Sequence, residues 1–384
     1  MSWREIALGS AIHVKHGFAF KGELFSNQGE YIVLTPGNFN EAGGFRIRPE
    51  KDRAYTGDIP EAYVLDEDDL IVAMTEQGAG LLGSAALVPQ ANRYLHNQRL
   101  GLVDRIDGGV LDKRFLYFLF NTRSVRAQIS GSASGTKVRH TAPERIYRVR
   151  VRVPSIDTQV SIAQTILTYD DLIENNRRRM ALLENSARLL YREWFVRLRF
   201  PGYEHTRIVD GVPQGWEKGP LETALVLQRG FDLPTQDRQL GTVPIYGSTG
   251  VLGYHDEAKA NAPGIVTGRS GTLGEVQYVA EDYWPLNTSL WVKEFRRVTP
   301  LFALFLLREM DLKQFNGGAS VPTLDRKSVH RVEILIPPTT LLRSFDDFAA
   351  DVFEQIKNIN TQNQNLRAAR DLLLPRLMSG ELAV

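Results

Sequence analysis

The chain has 384 residues, too many for one ordinary hydrophobic core, and its 43% hydrophobic and 24% charged residues exclude wholesale disorder. It contains no cysteine, which excludes a disulfide scaffold, a thiolate zinc site and a cysteine nucleophile, and suits a reducing cytoplasm. The net charge is +1, from 46 basic and 45 acidic residues, so binding to a polyanion must rest on local clusters rather than a global field.

The first residues, Met1-Ser2-Trp3-Arg4-Glu5, hold no cationic segment leading into an apolar one, so no signal peptide is expected. No run approaches the ~18 consecutive apolar residues of a membrane span. Further along, the chain repeats itself at about half its length. Trp3-Arg4-Glu5 is echoed by Trp216-Glu217-Lys218, and His16-Gly17-Phe18 by Arg229-Gly230-Phe231. The β-like run from Tyr31 to Asn38 matches that from Val243 to Gly250, and Asp69-Leu70-Ile71-Val72-Ala73 matches Pro263-Gly264-Ile265-Val266-Thr267. Phe115-Leu116-Tyr117-Phe118-Leu119 then answers Phe302-Ala303-Leu304-Phe305-Leu306, and Arg150-Val151-Arg152-Val153-Pro154 answers Ile334-Leu335-Ile336-Pro337. The shared order marks a duplication. Each half reads as a mixed α+β domain of short strands, Gly/Asn/Pro turns and short helices, closed by one long helix. The expected units are 1–154, a long helix within 155–199, 200–337, and a second long helix within 338–384. Phe200-Pro201-Gly202-Tyr203 ends the first helix and Gly380 the second.

The first long helix carries Ile162, Ile166, Tyr169, Ile173, Asn176, Met180, Leu183, Ala187, Leu190 and Trp194 on one seam. The second carries Phe345, Ala349, Val352, Ile356, Ile359, Asn363, Leu366, Arg370, Leu373 and Leu377. Intervals alternating between four and three are a heptad pattern, which predicts a coiled coil. Antiparallel pairing can put Asn176 against Asn363, Tyr169 against Arg370, Met180 against Ile359 and Trp194 against Phe345. Parallel pairing leaves each Asn facing an aliphatic side chain, and an unpaired buried amide is costly. The antiparallel register is therefore preferred, with two similar domains related by a rough two-fold axis. About 34 helical residues make a rod of ~50 Å, a caliper suited to two short half-sites about one DNA turn apart.

Catalytic constellations are not evident. Gly268-Arg269-Ser270-Gly271-Thr272-Leu273-Gly274 has neither dinucleotide-binding nor P-loop spacing and reads as a tight turn presenting Arg269, Ser270 and Thr272. His13 and His16 are the only close histidine pair, with no carboxylate ligand near them in sequence, so a metal site is not expected. Polar residues at matching places in the two halves suit base edges and phosphates better: Gln77, Gln98, Arg99, Lys137 and Arg139 in the first, and Tyr246, Ser248, Arg269, Ser270 and Asn287 in the second. Arg reads guanine and Asn or Gln reads adenine through paired hydrogen bonds, while Lys and Ser meet phosphate oxygens.

The tandem halves, the long helix after each, and the closing run from Leu366 through Arg370-Asp371-Leu372-Leu373-Leu374-Pro375-Arg376-Leu377-Met378-Ser379-Gly380 resemble the specificity (S) subunits of type I restriction–modification enzymes. So do Val321-Pro322-Thr323-Leu324, Ile336-Pro337-Pro338, and the spacing of Glu184, Ala187, Leu190, Trp194 and Phe195. The family's Pro-rich helix entry is only partly kept in the first half, where Ser155-Ile156-Asp157 follows Val153-Pro154. The resemblance implies two target-recognition domains reading a bipartite sequence in double-stranded DNA. It also implies recruitment of two adenine-specific methyltransferase subunits that bind S-adenosylmethionine, with a motor-nuclease subunit completing the restriction form. This chain would then be non-catalytic and bind no cofactor itself. A duplicated-domain scaffold for protein partners, without sequence-specific DNA binding, is the alternative; a stand-alone enzyme has no constellation to support it.

Overall fold

The computed structural model describes residues 3–76, 80–318 and 320–384. The chain divides into two compact units, residues 1–174 with 363–384 and residues 175–362, so each long helix contributes to both. Among the described residues, no helix is long and apolar enough to cross a membrane.

The first unit is built on an antiparallel four-stranded sheet in the order Ile12–His16, Leu100–Ile106, Leu70–Ala73, Ala85–Leu87. Leu70–Ala73 is buried on both faces, which explains why it reads as a continuous apolar run. The apolar stripe of helix Lys113–Phe120 covers this sheet, and Asp112 caps the helix by accepting from the Phe115 amide at 2.8 Å. A five-stranded sheet of two-residue strands lies outside it, with Ile32–Val33 parallel to Tyr94–Leu95. Arg4–Ala7 pairs with Arg150–Val153 and closes the domain just before the long helix Ile156–Tyr191. Gln159, fully buried, ties that helix down: its side chain donates to the Val110 and Pro154 carbonyls and accepts from the Asp112 amide.

The second unit repeats this plan. Its four-stranded sheet runs Leu225–Arg229, Ser289–Phe295, Gly264–Gly268, Val276–Val279, in the same relative order. Val243–Gly247 is parallel to Trp284–Pro285, and Glu217–Pro220 pairs with Glu333–Ile336 before the long helix Thr339–Ser379. Even the glycines of the repeated motif have one cause. A Cβ on Gly17 would lie 2.0 Å from the Asn97 carbonyl oxygen, and one on Gly230 would lie 2.2 Å from that of Leu286. Both positions require the bare backbone because a second strand passes against them.

Inside the first unit, Arg370 bonds Asp170 at 2.5 Å and the Asn363 amide donates to the Ile173 carbonyl at 3.3 Å. Numbers rise on one helix as they fall on the other, so these segments run antiparallel. Arg370 thus takes the carboxylate next in sequence to Tyr169, which is itself half-buried. Inside the second unit, Trp194 and Phe345 meet edge to face at 6.3 Å, and Ala187, Ala349 and Val352 share one core. The helix changes to a π turn over Arg192–Val196, which turns Phe195 into an aromatic cluster with Tyr191, Trp216, Phe302 and Phe345. Arg308 holds the neighbouring helix Pro300–Glu309 to the long one through Glu184. Asn176 and Asn363 are both buried, 8% and 1% exposed.

Candidate nucleic-acid interface

In each unit some of the polar candidates, Gln98 and Arg99 in the first and Arg269, Ser270 and Asn287 in the second, lie at one end of the four-stranded sheet, where its first and third strands end and its second begins. The backbone there is wired identically twice. Phe18 N donates to His96 O and Gln98 N to Phe18 O; Phe231 N donates to Pro285 O and Asn287 N to Phe231 O. Met74 N donates to Arg99 O and Thr141 N to Met74 O; Arg269 N donates to Thr288 O and Leu324 N to Arg269 O. Gln98 and Asn287 therefore occupy the same position, as do Arg99 and Thr288, and Met74 and Arg269.

In the first unit Gln98 and Arg99 are exposed, Arg99 after an Asn97 side chain that accepts from its amide at 3.0 Å. Lys137 is exposed in the turn between Ser134 and His140, which bond each other through both backbone groups. Arg139 is committed to structure. Its guanidinium reaches Glu76 at 3.3 Å and donates to the Ser130 carbonyl. Glu76 is buried and also accepts from the amides of Gly80, Leu81 and Leu82 at 3.1, 2.9 and 2.8 Å. Gln77 lies outside the described residues.

In the second unit Ser248, Arg269, Ser270 and Asn287 come together. A Cβ on Gly268 would lie 3.1 Å from the Ser248 carbonyl oxygen and 1.9 Å from that of Thr272, so the glycine-rich segment is a tight turn. Arg269 donates to the Asn287 carbonyl at 3.2 Å, and Ser270 N to Thr288 O at 3.1 Å. Tyr246 stands apart, its ring packed on Tyr283 at 5.8 Å and its hydroxyl pushed up by burial. Sequence reasoning passed over Arg229 and Asp232. Asp232 accepts from the Asn287 side-chain amide and pairs with Arg229 at 3.2 Å. The repeat alignment marked Arg229-Gly230-Phe231, and that was the available signal.

His13 has a carboxylate partner that only the fold brings to it. Asp104, 91 residues away, sits 2.6 Å from its Nδ1, because a bulge in the partner strand between Val103 and Arg105 redirects that side chain. Among the described residues, no group of three or more acidic or histidine side chains is placed to hold a metal. The surface offers guanidinium, amide and hydroxyl groups on a repeated backbone hydrogen-bond frame.

A family model described as Type I restriction modification DNA specificity domain matches residues 2–185. The specificity subunit of the type I enzyme MjaIX from Methanocaldococcus jannaschii is 24% identical over 302 residues, covering 70% of this chain and 69% of that protein. The chain is thus similar to type I specificity subunits, with its residues 2–185 matching their DNA specificity domain. The HindI specificity subunit of Haemophilus influenzae is another relative, 21% identical over 358 residues, covering 70% of this chain and 76% of that protein. The crystal structure of the S subunit of the M. genitalium type I restriction–modification system shares the fold. Its TM-score is 0.60 at 17% identity, over 98% of this chain and 96% of that one.

Proposed function

We propose that this chain is a specificity subunit that reads a bipartite target in double-stranded DNA, one part with each head. Each head presents its polar sheet end to the duplex. The long helices pair antiparallel along their full length, with Asn176 and Asn363 as facing amides that set the register, so that the heads are two-fold related and a fixed span apart. The chain performs no chemistry. It carries two adenine methyltransferase subunits, which supply S-adenosylmethionine, and in the restricting form a motor-nuclease subunit. The weak net charge fits a reader whose partners complete the clamp on DNA.

One observation carries this reading: the same hydrogen-bond frame is built twice and displays different side chains, Gln98 and Arg99 in one head and Asn287 and Thr288 in the other. Two copies of one frame with unlike readers suit two unlike half-sites. Selection from a random duplex pool by the full chain with a methyltransferase partner should enrich a motif in two parts with a constant gap. Enrichment without sequence preference would favour a protein scaffold instead.

A further inference from the structure

Resting on that reading, we infer that Arg229 reads a guanine in the half-site of the second head, and that Asp232 is the positioning residue that aims it. Arg229 ends its strand with its side chain half exposed, at the sheet end where Asn287 and Arg269 lie. A free arginine spreads over many rotamers and must be ordered on binding. Here the Asp232 carboxylate accepts from one Nη of Arg229 at 3.2 and 3.5 Å. The guanidinium is planar, so fixing one corner orients the rest, and its remaining N–H groups suit the O6 and N7 acceptors of guanine in the major groove.

The same carboxylate accepts from the Asn287 side-chain amide, leaving the Asn287 oxygen and its second N–H to offer. Asp232 thereby links the two side chains. This arrangement belongs to the second head. The matching positions of the first head hold His16, Ala19 and Gln98, which supply neither an arginine fork nor a carboxylate to brace one. The exposed Asp232 would repel phosphate, and its place is explained by the two donors it holds.

The test is the selected motif of the full chain with its methyltransferase partner, from a random duplex pool, for wild type, R229K, D232A and D232E. R229K keeps the charge but loses the fork. It should retain binding while discrimination for guanine at one position of the second half falls roughly ten- to hundred-fold. D232A should relax the same position and leave the first half of the motif and the unfolding temperature unchanged. D232E, which keeps a carboxylate, should recover part of the preference. A wild-type motif left intact by both R229K and D232A overturns this inference alone. A wild-type chain that selects no motif overturns the reading beneath it as well.

Discussion

The first head and the second are the same scaffold carrying different loads. Residues 1–154 contain 20 basic and 17 acidic side chains, whereas residues 200–337 contain 14 and 16. Outside the shared four-stranded sheet, the first head has a five-stranded sheet of very short strands where the second has three strands. At the bulge of the shared sheet the first head holds the His13–Asp104 pair, and the second has Val226 and Lys293. What stays constant is backbone wiring and close glycine contacts; what differs is nearly everything displayed. Duplicated frames with divergent surfaces are what independent reading of two half-sites requires, because a frame altered to change one reader would disturb the others.

The frame can be broken one head at a time. Gly17→Ala or Gly230→Ala drives a methyl group into a backbone carbonyl that cannot step aside, and each should cost more than about 3 kcal/mol. Hydrogen exchange should show the loss confined to the altered unit, with the other sheet still protected. Equal loosening of both units would show that they do not fold independently.

A second difference separates the heads by pH. His96 is fully buried, its Nε2 bonded to the Leu100 carbonyl at 2.9 Å, and burial pushes the ring down to about 4 from the ordinary 6.5. The folded state thus favours the neutral ring. Stability is complete above pH 6.5 and is lost as pH falls toward 4, by about 3 kcal/mol at most. His96 O accepts from Phe18, and Pro285 does the same work in the second head without a titrating group. Acid unfolding followed by exchange should therefore open the Gln98–Arg99 corner before the Asn287 corner, and replacing His96 with Gln should remove that lead of the first head.

The smallest expected effect lies in the helices. Arg370 and Asp170 form a half-exposed pair, and a double-mutant cycle should give about 0.5 to 1 kcal/mol of coupling.

Much of the fold was legible because its signals are local or repeated in order. Heptad spacing marked the two long helices, and the matched runs marked the strands that now pair in the same sheet order. Arg150–Val153, for example, and Glu333–Ile336 occupy equivalent places. The polar bracing was not legible. Glu76 with Arg139, Asp232 with Asn287 and Asp104 with His13 join residues 63, 55 and 91 apart, and only sheet pairing and bulges bring them together. For that reason the sequence did not reveal that the Arg139 guanidinium is engaged by Glu76 and Ser130, nor that Arg229 is paired with Asp232. A related case is Tyr246, whose half-buried ring packs on Tyr283, a contact that strand alternation alone does not reveal.

The most direct measurement is the methylome of cells expressing the chain and its methyltransferase partner, before and after residues 1–154 are exchanged for the corresponding head of another specificity subunit. Independent heads on a fixed helical span predict that one part of the methylated motif changes while the other part, and the gap between them, persist. Simultaneous change in both parts, or loss of a constant gap, would contradict it.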